Sequence, residues 1–312
     1  MLDDLDYSIS KLLSGKTLCY IGDDIVYVSK PKQEDLLLIY DRCSKVWSEC
    51  LDLLTKDEML NFMLENEIWT LDEQKELDNL PDLIDNLKSD LYKAYTQFKY
   101  RDTIRQKLKN SRERLNKLYG KRHVYDDVTK DGHYNFIKSM YMVGFGVYTE
   151  RGERYWTRDS FLTADFNVLE SVTRQYTEKL LNDKQIRSLA RSVQWRTYWQ
   201  LNKNPRDIFQ VNSLAELSDE QRALIWWSQQ YDSIYSAGED TPDDEVIEDD
   251  DLLDGWIKAQ NKKSKRKQSD SSSTDGKRQD VFVIVENPDD LARVESLNSD
   301  QAKILKRKVI GQ

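Results

Sequence analysis

A mainly helical fold is predicted for this 312-residue chain, and three observations predict it. Only 5 Pro and 11 Gly are present, too few for the frequent turns of a sandwich or barrel. Charged residues make up 33%, above the roughly 25% usual in globular chains, as long solvated helices or a solvated strip require. Between Leu77 and Leu118, apolar residues recur at alternating three- and four-residue spacing, the period of a helical seam. The expected architecture is a helical body with one long coiled-coil-like helix, a small N-terminal β-hairpin and a C-terminal β-α tail. The expected segments are 1–70 (hairpin plus helices), 71–120 (long heptad helix), 121–238 (aromatic-rich helical domain), 239–280 (charged linker) and 281–312 (β-α docking segment).

Composition bounds the class. Eight Trp, 17 Tyr and 8 Phe are too many aromatics for a wholly disordered chain. A net charge of -9 repels phosphate, so nucleic acid is not expected as the main partner. Cys19, Cys43 and Cys50 form no CxxC pair. Cys43 and Cys50, seven apart and so on one helix face, are expected as two small buried residues in a reducing compartment. The acidic N-terminus has no signal-peptide core, and no apolar run approaches the roughly 18 residues that span a bilayer.

Residues 17–28 read as two short strands joined at Gly22-Asp23. After Pro31, residues 33–54 place Leu36, Ile39, Tyr40, Cys43, Val46, Trp47, Cys50 and Leu54 on a helical stripe. Thr55 followed by Glu58 forms a capping box that opens a further helix. The seam Leu77, Leu80, Ile84, Leu87, Leu91, Ala94 and Phe98 resumes in shifted phase at Ile104, Leu108, Leu115 and Leu118, with Arg101 and Arg105 near the phase change. One helix from about Asp82 to Tyr119, about 55 Å long, is expected, stopped by Gly120.

His123 and His133, with Asp126, Asp127 and Asp131, match no metal motif, and no metal is expected there. Residues 134–148 are the most apolar stretch, and Gly144-Phe-Gly146 reads as a helix end rather than a nucleotide loop. Residues 165–200 read as helices, with Phe166, Leu169, Val172, Tyr176, Leu180 and Leu181 on one face. The stripe of Trp195, Tyr198 and Trp199 interleaves with Arg187, Arg191 and Arg196. Its aromatics are expected in the core and its arginines in solvent, with partner docking and base stacking as the alternatives. Pro205 ends that helix, and a Ser218–Gln221 capping box opens another that Gly238 stops.

Composition then changes sharply. Residues 239–254 carry ten acidic and no basic residues, and 258–267 carry six basic and no acidic ones. This reads as a linker. Within it, Leu252, Leu253, Trp256 and Ile257 form an apolar island expected to dock on a partner or back on the chain's own body. Lys262, Lys263, Lys265, Arg266 and Lys267 are the candidate nucleic-acid contacts. Residues 280–286 read as a strand, with Phe282 and Ile284 as further docking residues, followed by one or two helices. That tail is too short to fold alone and is expected to add its strand to another sheet.

No catalytic residues and no cofactor are expected. Ser14-Gly15-Lys16-Thr17 supplies GK[ST], but Ser10 stands where the first P-loop glycine belongs. The segments 115–136, 217–238 and 243–267 together resemble uncharacterised proteins encoded among the head-and-tail genes of tailed bacteriophages. The resemblance implies a non-enzymatic structural or assembly role in the particle: a tail, baseplate or neck component, or an assembly chaperone. It also implies other phage structural proteins as partners and a location in the virion or host cytoplasm. The long helix offers a surface for a second copy. A nucleic-acid-linked accessory role in phage transcription or packaging is the alternative.

Overall fold

Residues 2–50 and 52–274 are described by the structure, a computed structural model. It is mainly helical with a small three-stranded antiparallel sheet. Helix α1 (Leu2–Ser14) leads into β1 (Lys16–Ile21) and β2 (Asp24–Ser29). Gly22, at φ +60°, makes the predicted two-residue turn, which pairs Ile21 with Asp24. Period-two alternation buries Cys19, Val26 and Val28 on one face. The outer edge of β1 is closed by side chains. Gln175 accepts from the Tyr20 N–H at 3.0 Å and donates to the Tyr20 carbonyl at 2.9 Å, and Lys179 donates to the Leu18 carbonyl.

Helices α2 (Gln33–Glu49) and α3 (Lys56–Glu65) follow, the second opened by the predicted Thr55–Glu58 capping box. The single long helix expected over 82–119 is corrected to two. Helix α4 (Leu71–Lys93) and α5 (Phe98–Arg122) fold back on each other. The shifted phase explains why. In one straight helix, Ile104 and Leu108 would leave the face that carries Ile84 and Leu91. Reversal at 94–97 returns both sets to one core. Ion pairs Glu73–Lys121 (2.5 Å) and Glu76–Arg114 (2.6 Å) join the two helices antiparallel. Pro81 sits inside α4.

Helix α6 (Lys130–Gly144) ends at the predicted glycine pair and runs into β3 (Val147–Thr149), which pairs with β2. A Cβ on Gly146 would lie 2.0 Å from the Ser29 carbonyl oxygen, so only glycine lets the chain come this close to the end of β2. Short α7 (Arg158–Leu162) precedes α8 (Phe166–Glu178), α9 (Asp183–Arg191), α10 (Val193–Leu201), α11 (Pro205–Phe209) and α12 (Asp219–Tyr235). Asn182 and Ser218 supply capping boxes at the starts of α9 and α12.

The linker expected at 239–280 is corrected over most of its described length to helices α13 (Asp244–Glu248) and α14 (Asp250–Thr274). Val246, Ile247, Leu252, Leu253 and Trp256 are buried in the principal core with Leu12, Ile84, Leu91, Leu108, Leu189 and Tyr231. Residues from the expected segments 1–70, 71–120, 121–238 and 239–280 therefore share one core. Helix α14 packs antiparallel on α4, with Gly255 at the closest approach. A Cβ there would stand 2.2 Å from the Lys88 carbonyl oxygen. Gly255→Ala is expected to lower unfolding free energy by about 1–3 kcal/mol despite alanine's better helix propensity, because the helices must separate. Urea titration checks this. The strand expected at 280–286 and the rest of 281–312, with Phe282 and Ile284, lie outside the described residues.

Candidate interaction site

Helix α14 carries its acidic first turn onto a basic wall. Asp250 meets Arg191 Nη1 at 2.7 Å and Arg187 Nε at 3.2 Å. Asp254 meets Arg187 Nη2 at 2.9 Å and Lys88 Nζ at 2.7 Å. Asp251 takes a bidentate pair from Arg112, Asp249 pairs with Arg105 at 2.7 Å, and Glu245 with Arg101 at 2.6 Å. These partners come from α4, α5 and α9, so the acidic block is matched by cations from three helices. Arg187 is buried rather than solvated, with its guanidinium carbon 4.1 Å from the Trp227 ring centroid. Burial pulls its pKa down, but Asp254 and Asp250 outweigh that and hold it above the ordinary value.

Those pairs explain why 245–254 is not a solvated strip. Glu245, Asp249, Asp250, Asp251 and Asp254 are paired in place and Val246, Ile247, Leu252 and Leu253 enter the core, while Glu239, Asp244 and Glu248 stay exposed. A cleft of about 530 Å³ remains between α9 and α14, walled by both signs, including Lys184, Arg187, Glu248 and Asp250. Its acidic wall is already engaged by arginine and lysine, an arrangement that clamps α14 to the body. Of the two settings expected for the apolar island, the partner is replaced by the chain's own body: Leu252, Leu253 and Trp256 are buried in its core and Ile257 is partly buried against it.

The basic block continues along α14. Lys258 lies 3.9 Å from Asp85 and Lys263 lies 3.5 Å from Asp240, while Lys262 and Lys263 are exposed. Lys265, Arg266 and Lys267 lie on the same helix, and their side chains are outside the described residues. At the histidines, His123 Nδ1 lies 2.9 Å from Asp126, which also binds Lys56 Nζ at 2.7 Å. Among the described residues no group of three His, Cys, Asp or Glu side chains is placed to hold a metal. No described helix is long and apolar enough to cross a membrane.

Helix α10 is apolar on two faces. Trp195 and Trp199 are buried, with Trp195 Nε1 donating to Ser228 at 2.7 Å and Trp199 Nε1 to Asp232 at 2.9 Å. On the other side Val193 is 79% exposed, Leu201 82% and Tyr198 51%. Sequence reasoning placed the aromatic stripe in the core and missed this second face. The available signal was five apolar residues in nine, more than one buried stripe needs.

Asp232 anchors the inner face. Burial pushes its carboxyl pKa up, but hydrogen bonds from Trp199, Arg196 and Lys203 outweigh burial and hold it below the ordinary carboxylate range. Its contribution to stability is therefore complete above pH of about 4 and is lost as pH falls through the lowered folded value. Asp232→Asn is expected to flatten the acid limb of a stability–pH profile. An unchanged acid limb would show that this network does not couple folding to pH.

No protein-family model matches the chain, and neither a curated protein nor a solved structure matches it.

Proposed function

We propose that this chain is a non-enzymatic structural or assembly protein of a tailed bacteriophage particle, acting through protein–protein contacts. The observation that carries the reading is the doubly apolar α10. Its inner face completes the core, and its outer face leaves Val193 and Leu201 in solvent on a helix fixed by buried tryptophans. Exposed apolar groups on a rigid helix are suited to docking another protein. The resemblance of 115–136, 217–238 and 243–267 to head-and-tail gene products supplies the setting: tail, baseplate, neck or assembly chaperone. Quantitative mass spectrometry of material co-purifying with the native protein tests it. Capsid or tail proteins are expected in fixed ratio. Recovery with polymerase subunits or nucleic acid instead would contradict it.

One observation favours the second reading, a nucleic-acid-linked accessory factor: α14 carries exposed Lys262 and Lys263 within the six-cation block at 258–267. That reading requires binding that weakens steeply with salt.

A further inference from the structure

A second cleft, separate from the clamp, lies between the sheet and the helical core. It measures about 530 Å³, and Val28, Met142, Val143, Ile186 and Ala223 form much of its wall. That volume is typical of small-molecule sites, which are mostly apolar with a few polar groups that fix orientation.

The charged residues around it are already engaged. Lys30 donates to the Ala215 and Leu217 carbonyls at 2.6 and 3.0 Å. Glu220 pairs with Lys11 at 2.8 Å, Asp219 with Arg222 at 3.1 Å, and Asp183 accepts from Trp227 Nε1 at 2.9 Å. The Asp219 and Asp183 carboxylates at the rim face solvent, 96% and 68% exposed, so a charged ligand in the apolar part of the cleft would be desolvated with no counter-charge beside it. Tyr176 differs. It lines the same cleft, is half-buried against the sheet, and no described residue pairs with its hydroxyl, which is open to solvent. Burial, then Glu220 and Asp219, push that phenol up to about 12, so it remains a proton donor at physiological pH.

We propose that this cleft binds a small, uncharged, mainly hydrocarbon molecule carrying one hydrogen-bond acceptor, which takes the Tyr176 hydroxyl proton in a hydrogen bond. The site rests on the cleft alone and stands or falls independently of the assembly reading.

Prodan, an uncharged naphthalene ketone whose emission shifts to the blue in apolar surroundings, serves as the probe against the full-length protein. Saturable one-site binding is expected. Tyr176→Phe keeps the ring and should weaken binding about fivefold, the loss of one hydrogen bond. The matched dimethylaminonaphthalene without the ketone should bind wild type and Tyr176→Phe equally. Ala223→Trp should remove binding of both dyes by filling the cleft, with folding checked by circular dichroism. No saturable binding to wild type overturns the proposal. So does equal prodan affinity in Tyr176→Phe, or full binding by folded Ala223→Trp.

Discussion

Trp256→Ala is expected to lower the free energy of unfolding by about 3–5 kcal/mol, the range for truncating a buried aromatic residue. Trp256 is 6% exposed, in the same cluster as Leu252, Leu253, Ile84 and Leu91. Truncation opens a cavity between α14 and α4, where Gly255 already holds the two backbones close. If the island were instead a partner-docking strip, the same change would leave stability within about 0.5 kcal/mol of wild type, as for ordinary surface substitutions. Guanidinium unfolding followed by tryptophan fluorescence separates the two, with circular dichroism as the second probe. Adding Leu253→Ala should deepen the loss, since Leu253 is fully buried.

Lys11→Met should have a comparable effect, about 3–5 kcal/mol, because it strands a buried carboxylate. Lys11 is 5% exposed and its ammonium lies 2.8 Å from Glu220, whose side chain is also nearly buried. The same ammonium donates to the Lys179 carbonyl at 2.6 Å, so one group ties α1 to both α12 and the end of α8. Glu220 also accepts the Leu181 N–H at 2.6 Å, and that bond alone cannot neutralise it. Combining Lys11→Met with Glu220→Gln should recover much of the loss. Glutamine keeps an acceptor for Leu181 and removes the charge. A double variant no more stable than Lys11→Met would show that lost packing, not the stranded charge, dominates.

Local signals carried the fold furthest. The Gly22-Asp23 hairpin, the capping boxes at Thr55 and Ser218, and the helix end at Gly144 each depend on residues within a few positions, and each appears where its chemistry requires. Two long-range features were not legible. The phase shift between Ala94 and Ile104 was visible, but its resolution as a reversal at 94–97 depends on α14 and α9 supplying a shared core. The acidic run at 239–254 resembles solvated sequence because its neutralising partners, Arg101, Arg105, Arg112, Arg187 and Arg191, lie far away in the chain. Charge composition within a window cannot reveal such pairing. Helix α1 was missed because its acidic start obscured Ile9 and Leu12, which enter the core.

The interaction face was legible only as an excess of apolar residues. Periodicity identifies the stripe that packs inward. It does not say that Val193 and Leu201, on the same helix, have no neighbour to cover them among the described residues.

Docking through the outer face of α10 is tested by comparing stoichiometric recovery of particle proteins with wild type and with Val193→Asp/Leu201→Asp. Both side chains are highly exposed, so the variant should keep wild-type stability within about 0.5 kcal/mol. Recovery of the particle protein is expected to fall at least tenfold while the body remains folded. Undiminished recovery by the folded variant would contradict docking through the outer face of α10.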